Sequence, residues 1–226
     1  MTGTWPTAES PVVAPMLTSG VIAVVRLGEA VPLGTAAEAL AAGGIGAIEI
    51  TLTTPGALDI VRELASAGIP NCVIGAGTVL DEAVARQAIA AGARLIVSPV
   101  FEPGILRICR ERNVVYMPGG FTPTELLRAW NAGATMVKVF PAASLGVEGF
   151  RQVLAPLPQL RLVPSGGVTL ENAGEWIKAG ATAISVGTAL VNAARVRREA
   201  LDELSALARR YVDAVAGARR LLADSA

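Results

Sequence analysis

Short runs of β-branched and other apolar residues alternate along the chain with longer, alanine-rich amphipathic segments. Apolar runs bounded by turn residues are typical of buried strands, and the longer segments are typical of helices. Eight strands are predicted, at residues 21–25, 47–50, 72–74, 95–97, 114–117, 135–139, 160–163 and 183–186. The amphipathic pattern between them predicts helices such as residues 32–42, 81–91, 122–132 and 169–179.

A recurring glycine marks the end of most predicted helices. Ala-Gly pairs precede five of the strands, and they begin at Ala42, Ala67, Ala91, Ala132 and Ala179. Glycine directly after the last helical turn is the usual left-handed cap, and Asn113 is expected to do the same before the fifth strand. Thr122 and Thr169 are predicted N-caps, and Glu125 completes a possible capping box with the first. The marks recur about every 20 to 25 residues, which is the length of one βα unit.

Eight alternating units with near-continuous apolar strands favour an α/β fold, a (β/α)8 TIM barrel, with an open doubly wound sheet as the alternative. The length predicts one domain over residues 1–226, with the barrel core at about residues 20–193. Residues 11–20 are expected to form a short helical lid over the N-terminal end of the barrel. Residues 194–222 predict an extended C-terminal helix, either packed on the barrel or serving as a subunit contact.

Charge and hydropathy exclude several classes of partner. Lys plus Arg equal Asp plus Glu at 19 each, so nucleic acid is not an expected partner. The mean hydropathy is +0.52, but no apolar run reaches the roughly 18 residues of a membrane span. Cys72 and Cys109 have no partner at metal or redox spacing, and the first ten residues lack a signal-peptide pattern. We therefore expect a cytoplasmic protein with reduced thiols and no membrane partner.

The chain contains no histidine. This composition excludes Ser-His-Asp and Cys-His catalysis and the usual histidine-based metal sites. Proton transfer must therefore fall to a carboxylate, a lysine, a tyrosine or water. Neither a metal nor an organic cofactor is expected.

The active site of such a barrel lies at the C-terminal ends of its strands. Two charged residues there interrupt apolar strands, Glu49 between two isoleucines and Lys138 between two valines. If both side chains point inward, an acid and an amine face each other across a small cavity. Burial that favours a neutral amine would make Lys138 a nucleophile able to form a Schiff base. The alternative is a structural salt bridge.

Glycine turns follow the last two strands. In barrels of this kind, backbone N–H groups after strands seven and eight often hold a phosphate, and glycine lets the chain come close to it. Ser165-Gly166-Gly167 and Gly187-Thr188 occupy that position and add two hydroxyl groups. They predict a site for a phosphate or another oxyanion.

From about Val12 to about Ala193 the sequence resembles the KDPG/KHG aldolase family. Four phrases carry the resemblance: Glu49-Ile50-Thr51-Leu52, Gly75-Ala76-Gly77-Thr78-Val79-Leu80, Val137-Lys138-Val139-Phe140-Pro141-Ala142 and Ser165-Gly166-Gly167-Val168. The resemblance implies a homotrimer that uses Lys138 as the Schiff-base lysine and Glu49 as the acid and base. It places the substrate-binding residues at Arg26, Thr53, Thr78, Pro99, Phe140, Ser165, Gly166, Gly167, Gly187 and Thr188.

Two positions depart from the family pattern. Thr53 stands where well-known members have an arginine that grips the pyruvate carboxylate, and Ser165 stands where threonine is common. Either Arg26 and the backbone N–H groups around Thr78 bind that carboxylate, or the substrate differs.

The resemblance implies a class I aldolase that cleaves 2-keto-3-deoxy-6-phosphogluconate, a related 2-keto-3-deoxy sugar acid or 4-hydroxy-2-oxoglutarate to pyruvate and an aldehyde. No cofactor is required, and the expected partner is a small keto acid. Two alternatives stay open on the same barrel, a sugar-phosphate epimerase or isomerase and a non-catalytic sugar-phosphate-binding protein.

Overall fold

The computed structural model describes residues 10–224, in which strands and helices alternate. The strand residues are buried because both faces of each strand are covered, which explains their continuous apolar runs. The strands are β1 (Val21–Val25), β2 (Ala47–Thr51), β3 (Val73–Gly77), β4 (Leu95–Val97), β5 (Val115–Met117), β6 (Gly119–Gly120), β7 (Val137–Val139), β8 (Leu162–Pro164) and β9 (Ile184–Val186).

The helices begin and end at the predicted signals. Thr122 and Thr169 both form capping boxes, with Glu125 and Asn172 respectively. Left-handed stops are confirmed at Asn113, with φ of 52°, and at four of the five predicted glycines, such as Gly92 with φ of 103°. The exception is Gly43, whose φ is −73°, and the left-handed residue there is Gly44. The helices are α1 (Ala14–Ser19), α2 (Gly34–Ala42), α3 (Ala57–Ala67), α4 (Glu82–Ala90), α5 (Pro103–Glu111), α6 (Pro123–Asn131), α7 (Ala142–Leu154), α8 (Leu170–Lys178) and α9 (Leu201–Asp224), with a 3-10 turn at Arg198–Ala200. Within residues 10–224, every helix is too short or too polar to cross a membrane.

All the strand pairings within the two sheets are parallel. Six strands form a half-barrel in the order β5-β4-β3-β2-β1-β9, and a second sheet has the order β6-β7-β8. Pro118 separates β5 from β6 and has no N–H to donate to a ladder. The structure therefore differs from the prediction at this point, because Gly119–Gly120 forms a strand of its own where the sequence predicts a loop.

The strand residues divide into two apolar clusters by alternation. Along β1, Val21, Ala23 and Val25 belong to the cluster that includes the helices, whereas Ile22 belongs to a cluster on the opposite face. That second cluster draws residues from β1 to β5 and β8, from Met136 and Ala183 directly before β7 and β9, and from the segment around α1. Met16 of α1 is fully buried in it, which confirms that the N-terminal segment covers this cluster. The cluster is therefore closed at the N-terminal ends of the strands.

The C-terminal helix α9 packs on the same molecule. Its apolar side chains Leu204, Ala208, Tyr211 and Val215 are buried, whereas Leu201 is half-buried. Arg209 Nη2 donates to the Ala42 carbonyl at the end of α2, at 2.7 Å. The packed alternative for this helix is confirmed.

Candidate active site

Strand alternation turns Glu49 and Lys138 to the same side of the sheet. The neighbours of Glu49, Ile48 and Ile50, pack in the cluster that includes the helices, so the side chain between them faces the other way. The valines on either side of Lys138 do the same. Both charged side chains therefore point to the face that carries the second cluster, at the C-terminal side of it.

The amine and the carboxylate lie close together. Lys138 Nζ is 3.9 Å from Glu49 Oε1, and the two side chains are only 8% and 1% exposed. The Phe140 ring covers the amine, with Nζ 5.2 Å from the ring centroid. Among the described residues, neither carboxylate oxygen of Glu49 has a hydrogen-bond partner. Because buried carboxylates are normally hydrogen-bonded, these oxygens are available to a water or a substrate.

Gly77 makes the space that the Glu49 carboxylate occupies. A Cβ added to Gly77 would lie 2.5 Å from the Glu49 carboxylate carbon and closer still to Oε1. A side chain of any size at Gly77 would displace the acid. The sequence pattern indicates Gly77 only as part of a family phrase, although a glycine inside a strand is a known signal of close approach.

One cavity of about 280 Å³ contains most of the predicted site. The predicted residues that line it are Arg26, Lys138, Phe140, Ser165, Gly166, Gly167, Gly187 and Thr188. Four further residues that were not predicted also line it, namely Val24, Val168, Thr169 and Ala189. The cavity therefore joins a buried amine, an arginine and both glycine turns.

The turn after β8 depends on its glycines. Gly166 and Gly167 have φ of 87° and 82°, in the left-handed region. A Cβ on Gly167 would lie 2.5 Å from the Ala143 Cβ. The carbonyls of Ser165 and Gly166 accept hydrogen bonds from Ala142 and Ala143 at the start of α7. The backbone of this turn is thereby fixed at the cavity wall.

The backbone on both sides of Arg26 is bonded by two threonines, one in β2 and one in the loop after it. Thr51 Oγ1 donates to the Val25 carbonyl at 3.1 Å, and Thr54 Oγ1 accepts from the Leu27 N–H at 3.2 Å. These two bonds fix the backbone on both sides of Arg26, whose side chain lines the cavity.

Four predicted residues are not among those that line this cavity, namely Glu49, Thr53, Thr78 and Pro99. Thr53 is exposed, and its hydroxyl lies 3.0 Å from Thr51 Oγ1. Thr78 directly follows Gly77 and has a φ of 61°. Pro99 lines a neighbouring cavity of about 360 Å³, which shares Phe140 with the first. Thr78 thus lies next to the residue that contacts Glu49, and Pro99 shares a cavity with Phe140.

The family model for KDPG and KHG aldolase matches residues 12–207. The chain belongs to the KDPG and KHG aldolase family. The match covers all the strands and both glycine turns, so the residues described above are this family member's own candidate site.

Individual aldolases confirm the family. The sequence is 38% identical to the "Probable 2-dehydro-3-deoxy-6-phosphogalactonate aldolase" of Rhizobium meliloti, over 74% of this chain and 82% of that one. It is 33% identical to the KHG/KDPG aldolase of Escherichia coli K12, over 88% and 93% of the two chains. The fold is similar to that of the KDPG aldolase of Legionella pneumophila, with a TM-score of 0.76, 29% identity and coverage of 88% and 96%. In that structure pyruvate is captured at low pH as a covalent carbinolamine intermediate.

Proposed function

We propose that this family member is a class I aldolase. Its substrate is 2-keto-3-deoxy-6-phosphogluconate, a related 2-keto-3-deoxy sugar acid or 4-hydroxy-2-oxoglutarate, and its products are pyruvate and an aldehyde. The observation that carries this proposal is the 3.9 Å separation of Glu49 Oε1 from Lys138 Nζ, whose side chain lines a ligand-sized cavity. The carbinolamine of the Legionella relative supports the same chemistry.

The reaction begins at Lys138. The neutral amine attacks the C2 ketone and forms a carbinolamine, whose oxygen takes a proton from Glu49 and leaves as water. The product is an iminium that joins Lys138 Nζ to C2. Glu49 Oε1 lies 3.9 Å from this nitrogen, so one acid can serve each proton transfer, directly or through a water.

Cleavage follows because the iminium accepts electrons. Glu49, now a carboxylate, takes the proton of the C4 hydroxyl through a water, and the C3–C4 bond breaks as its electrons move into the iminium. The aldehyde leaves, and the remaining enamine is protonated at C3. Hydrolysis of the resulting iminium releases pyruvate and restores the amine.

The anionic end of the substrate is proposed to bind at the glycine turns. One wall of the cavity offers two hydroxyls and a backbone that an anion can approach closely, and it is formed by Ser165, Gly166, Gly167, Gly187 and Thr188. Arg26 lines the same cavity and adds a positive charge. This grouping supports a phosphate at that end.

The keto acid end is proposed to lie on the side of Phe140, Thr78 and Pro99. Thr53 takes the place of the family arginine and offers a hydroxyl instead of a cation. We therefore assign the pyruvate carboxylate to the backbone around Thr78 rather than to a side chain at position 53.

We further propose that the strands close into one (β/α)8 barrel and one domain over residues 1–226. The pairings support closure, because β1 pairs with both β2 and β9. An isolated parallel bridge between Ser165 and Ser185 connects the end of β8 to β9. On this proposal Pro118 interrupts the fifth of eight strands.

A homotrimer and a cytoplasmic location are also part of the proposal. Leu80, Val100 and Phe121 are exposed apolar side chains in the loops after β3, β4 and β6, which supports a subunit contact. Both cysteines are free thiols, in keeping with a reducing compartment. Light scattering coupled to gel filtration tests the trimer.

Reductive trapping tests the proposed function. The chain contains only two lysines, Lys138 and Lys178, so an adduct is easily located. Incubation with pyruvate and borohydride should add one reduced pyruvate to the peptide with Lys138. Lys178→Met, at an exposed position on α8, should trap normally, whereas Lys138→Met should not.

A retro-aldol assay with pyruvate release as the readout then ranks the candidate substrates. Glu49→Gln and Lys138→Met should lose most activity while circular dichroism shows an intact fold. Absence of an adduct in the unchanged protein would contradict the aldolase and favour an isomerase, which needs no imine.

A further inference from the structure

The guanidinium of Arg195 contacts backbone carbonyls of the turn after β9. Arg195 Nη1 donates to the Ala189 carbonyl at 2.7 Å and also lies 3.4 Å from the Leu190 oxygen and 3.5 Å from the Thr188 oxygen. Hydrogen bonds from a charged donor are stronger than those between neutral groups. Arg195 therefore holds the Ala189 carbonyl firmly and attracts the carbonyls on either side of it through two longer contacts.

The same turn lines the cavity that contains Lys138. Gly187, Thr188 and Ala189 form part of its wall. The Leu190 and Val191 N–H groups both bond to the Gly187 carbonyl at 2.9 Å, which winds the turn tightly. In a trans peptide unit the carbonyl and the N–H point in opposite directions. Attraction of the Thr188 carbonyl to Arg195 therefore orients the Ala189 N–H toward the other side of the turn.

Hydrogen bonds of the Asn192 side chain reverse the chain direction, so that the Arg195 side chain contacts the turn after β9. The Asn192 Oδ1 atom accepts hydrogen bonds from the Ala194 and Arg195 N–H groups, both at 3.1 Å. Its Nδ2 atom donates to the Thr188 carbonyl at 3.4 Å. The chain reversal at Asn192 and the turn after β9 are thus joined by hydrogen bonds.

We propose that Arg195 is a positioning residue for the anionic group of the substrate. It orients the Gly187–Ala189 wall of the cavity and places a positive charge behind it, and Asn192 holds Arg195 in place. This inference rests on the proposed function, because it assigns phosphate binding to that wall. Lysine is not an equivalent substitute, since its compact ammonium on a flexible stem cannot match the planar fork of donors on arginine.

The test compares Arg195→Gln and Arg195→Lys with Arg209→Gln. Arg209 also binds a backbone carbonyl, that of Ala42, but at the end of α2 away from the cavity. The probe is inorganic phosphate, measured by calorimetry and as a competitive inhibitor of pyruvate release. Circular dichroism and thermal unfolding check each fold.

We expect Arg195→Gln to weaken phosphate binding and to raise KM for a phosphorylated substrate, each by about tenfold, the effect of losing a charged hydrogen-bond donor. Its kcat should stay within about twofold, because the Lys138 and Glu49 pair is untouched. Arg195→Lys should restore part of the affinity, and Arg209→Gln should match the unchanged protein. Trapping by pyruvate and borohydride should be the same in all four proteins.

An Arg195→Gln protein that folds and binds phosphate as tightly as the unchanged protein would overturn the inference. So would an equal loss in Arg209→Gln, because the effect would then be general. If the unchanged protein traps pyruvate but binds no phosphate, this inference fails and the aldolase stands. If it traps no pyruvate, the aldolase proposal fails, and phosphate binding by the variants still decides the role of Arg195.

Discussion

Gly77 lies directly against the carboxylate of Glu49, with no room between them for a methyl group. The two residues are on adjacent strands, where Glu49 pairs with Gly75 and Thr51 with Gly77. Within the described part of the chain, Glu49 has an ion pair with Lys138 but no hydrogen bond to its oxygens. Packing on Gly77 and attraction to Lys138 therefore set the position of the acid.

Gly77→Ala should displace Glu49 and reduce kcat by about 100-fold, because a shift of about 1 Å in a catalytic group has that effect. Overpacking should also lower the free energy of unfolding by about 1 to 3 kcal/mol. Steady-state kinetics and urea unfolding measure both.

Gly28→Ala is the matched control, since an added Cβ there meets no atom within 4 Å. It should change neither quantity. Normal kcat in a folded Gly77→Ala protein would contradict the assigned position of Glu49.

The Lys138 and Glu49 pair should be coupled in stability. Lys138→Met leaves a buried carboxylate without its cation and should lower the free energy of unfolding by about 3 to 5 kcal/mol near neutral pH. The double variant Lys138→Met with Glu49→Gln should recover at least half of that loss, because no unpaired charge remains. Urea unfolding of the unchanged protein, the two single variants and the double variant gives the coupling energy, and a double variant less stable than Lys138→Met would oppose this account.

Arg219 connects α9 to the N-terminal side of the strands. Its Nη1 donates to the Thr18 carbonyl at 3.1 Å and its Nη2 to the Thr182 carbonyl at 2.8 Å. Arg219→Ala should lower the free energy of unfolding by about 1 to 2 kcal/mol, as two carbonyls lose a charged donor. The kcat should not change, because Thr182 precedes β9 and the site lies at the other strand ends. Arg220→Ala, at the exposed neighbouring position, should be neutral in denaturant unfolding.

Neither cysteine should react readily with iodoacetamide in the folded protein. Burial raises the pKa of Cys72 and of Cys109 to about 12. At about pH 8 the reactive thiolate is then roughly one molecule in 10,000, and its fraction should rise about tenfold per pH unit. Mass spectrometry should find slow labelling in buffer and full labelling in denaturant. Fast labelling of either folded thiol at that pH would contradict the raised pKa.

The amino-acid sequence by itself determined the order of the strands and helices and the placing of two charged residues between apolar strand neighbours. Strands buried on both faces must be apolar throughout, so they stand out, and a glycine or asparagine ends most of the helices before them. A period of two then places Glu49 and Lys138 opposite their apolar neighbours. The lysine and the acid of the candidate site could be predicted for that reason.

Only the tertiary structure decided which of the other predicted residues share a cavity. Arg26 and the two glycine turns meet at Lys138, whereas Thr53, Thr78 and Pro99 lie elsewhere around the site. The fit of Glu49 against Gly77 depends on the register between two strands, and the reach of Arg195 depends on the chain reversal at Asn192. Such contacts depend on distances between separate segments or on the path of a loop, neither of which has a periodic pattern in the sequence.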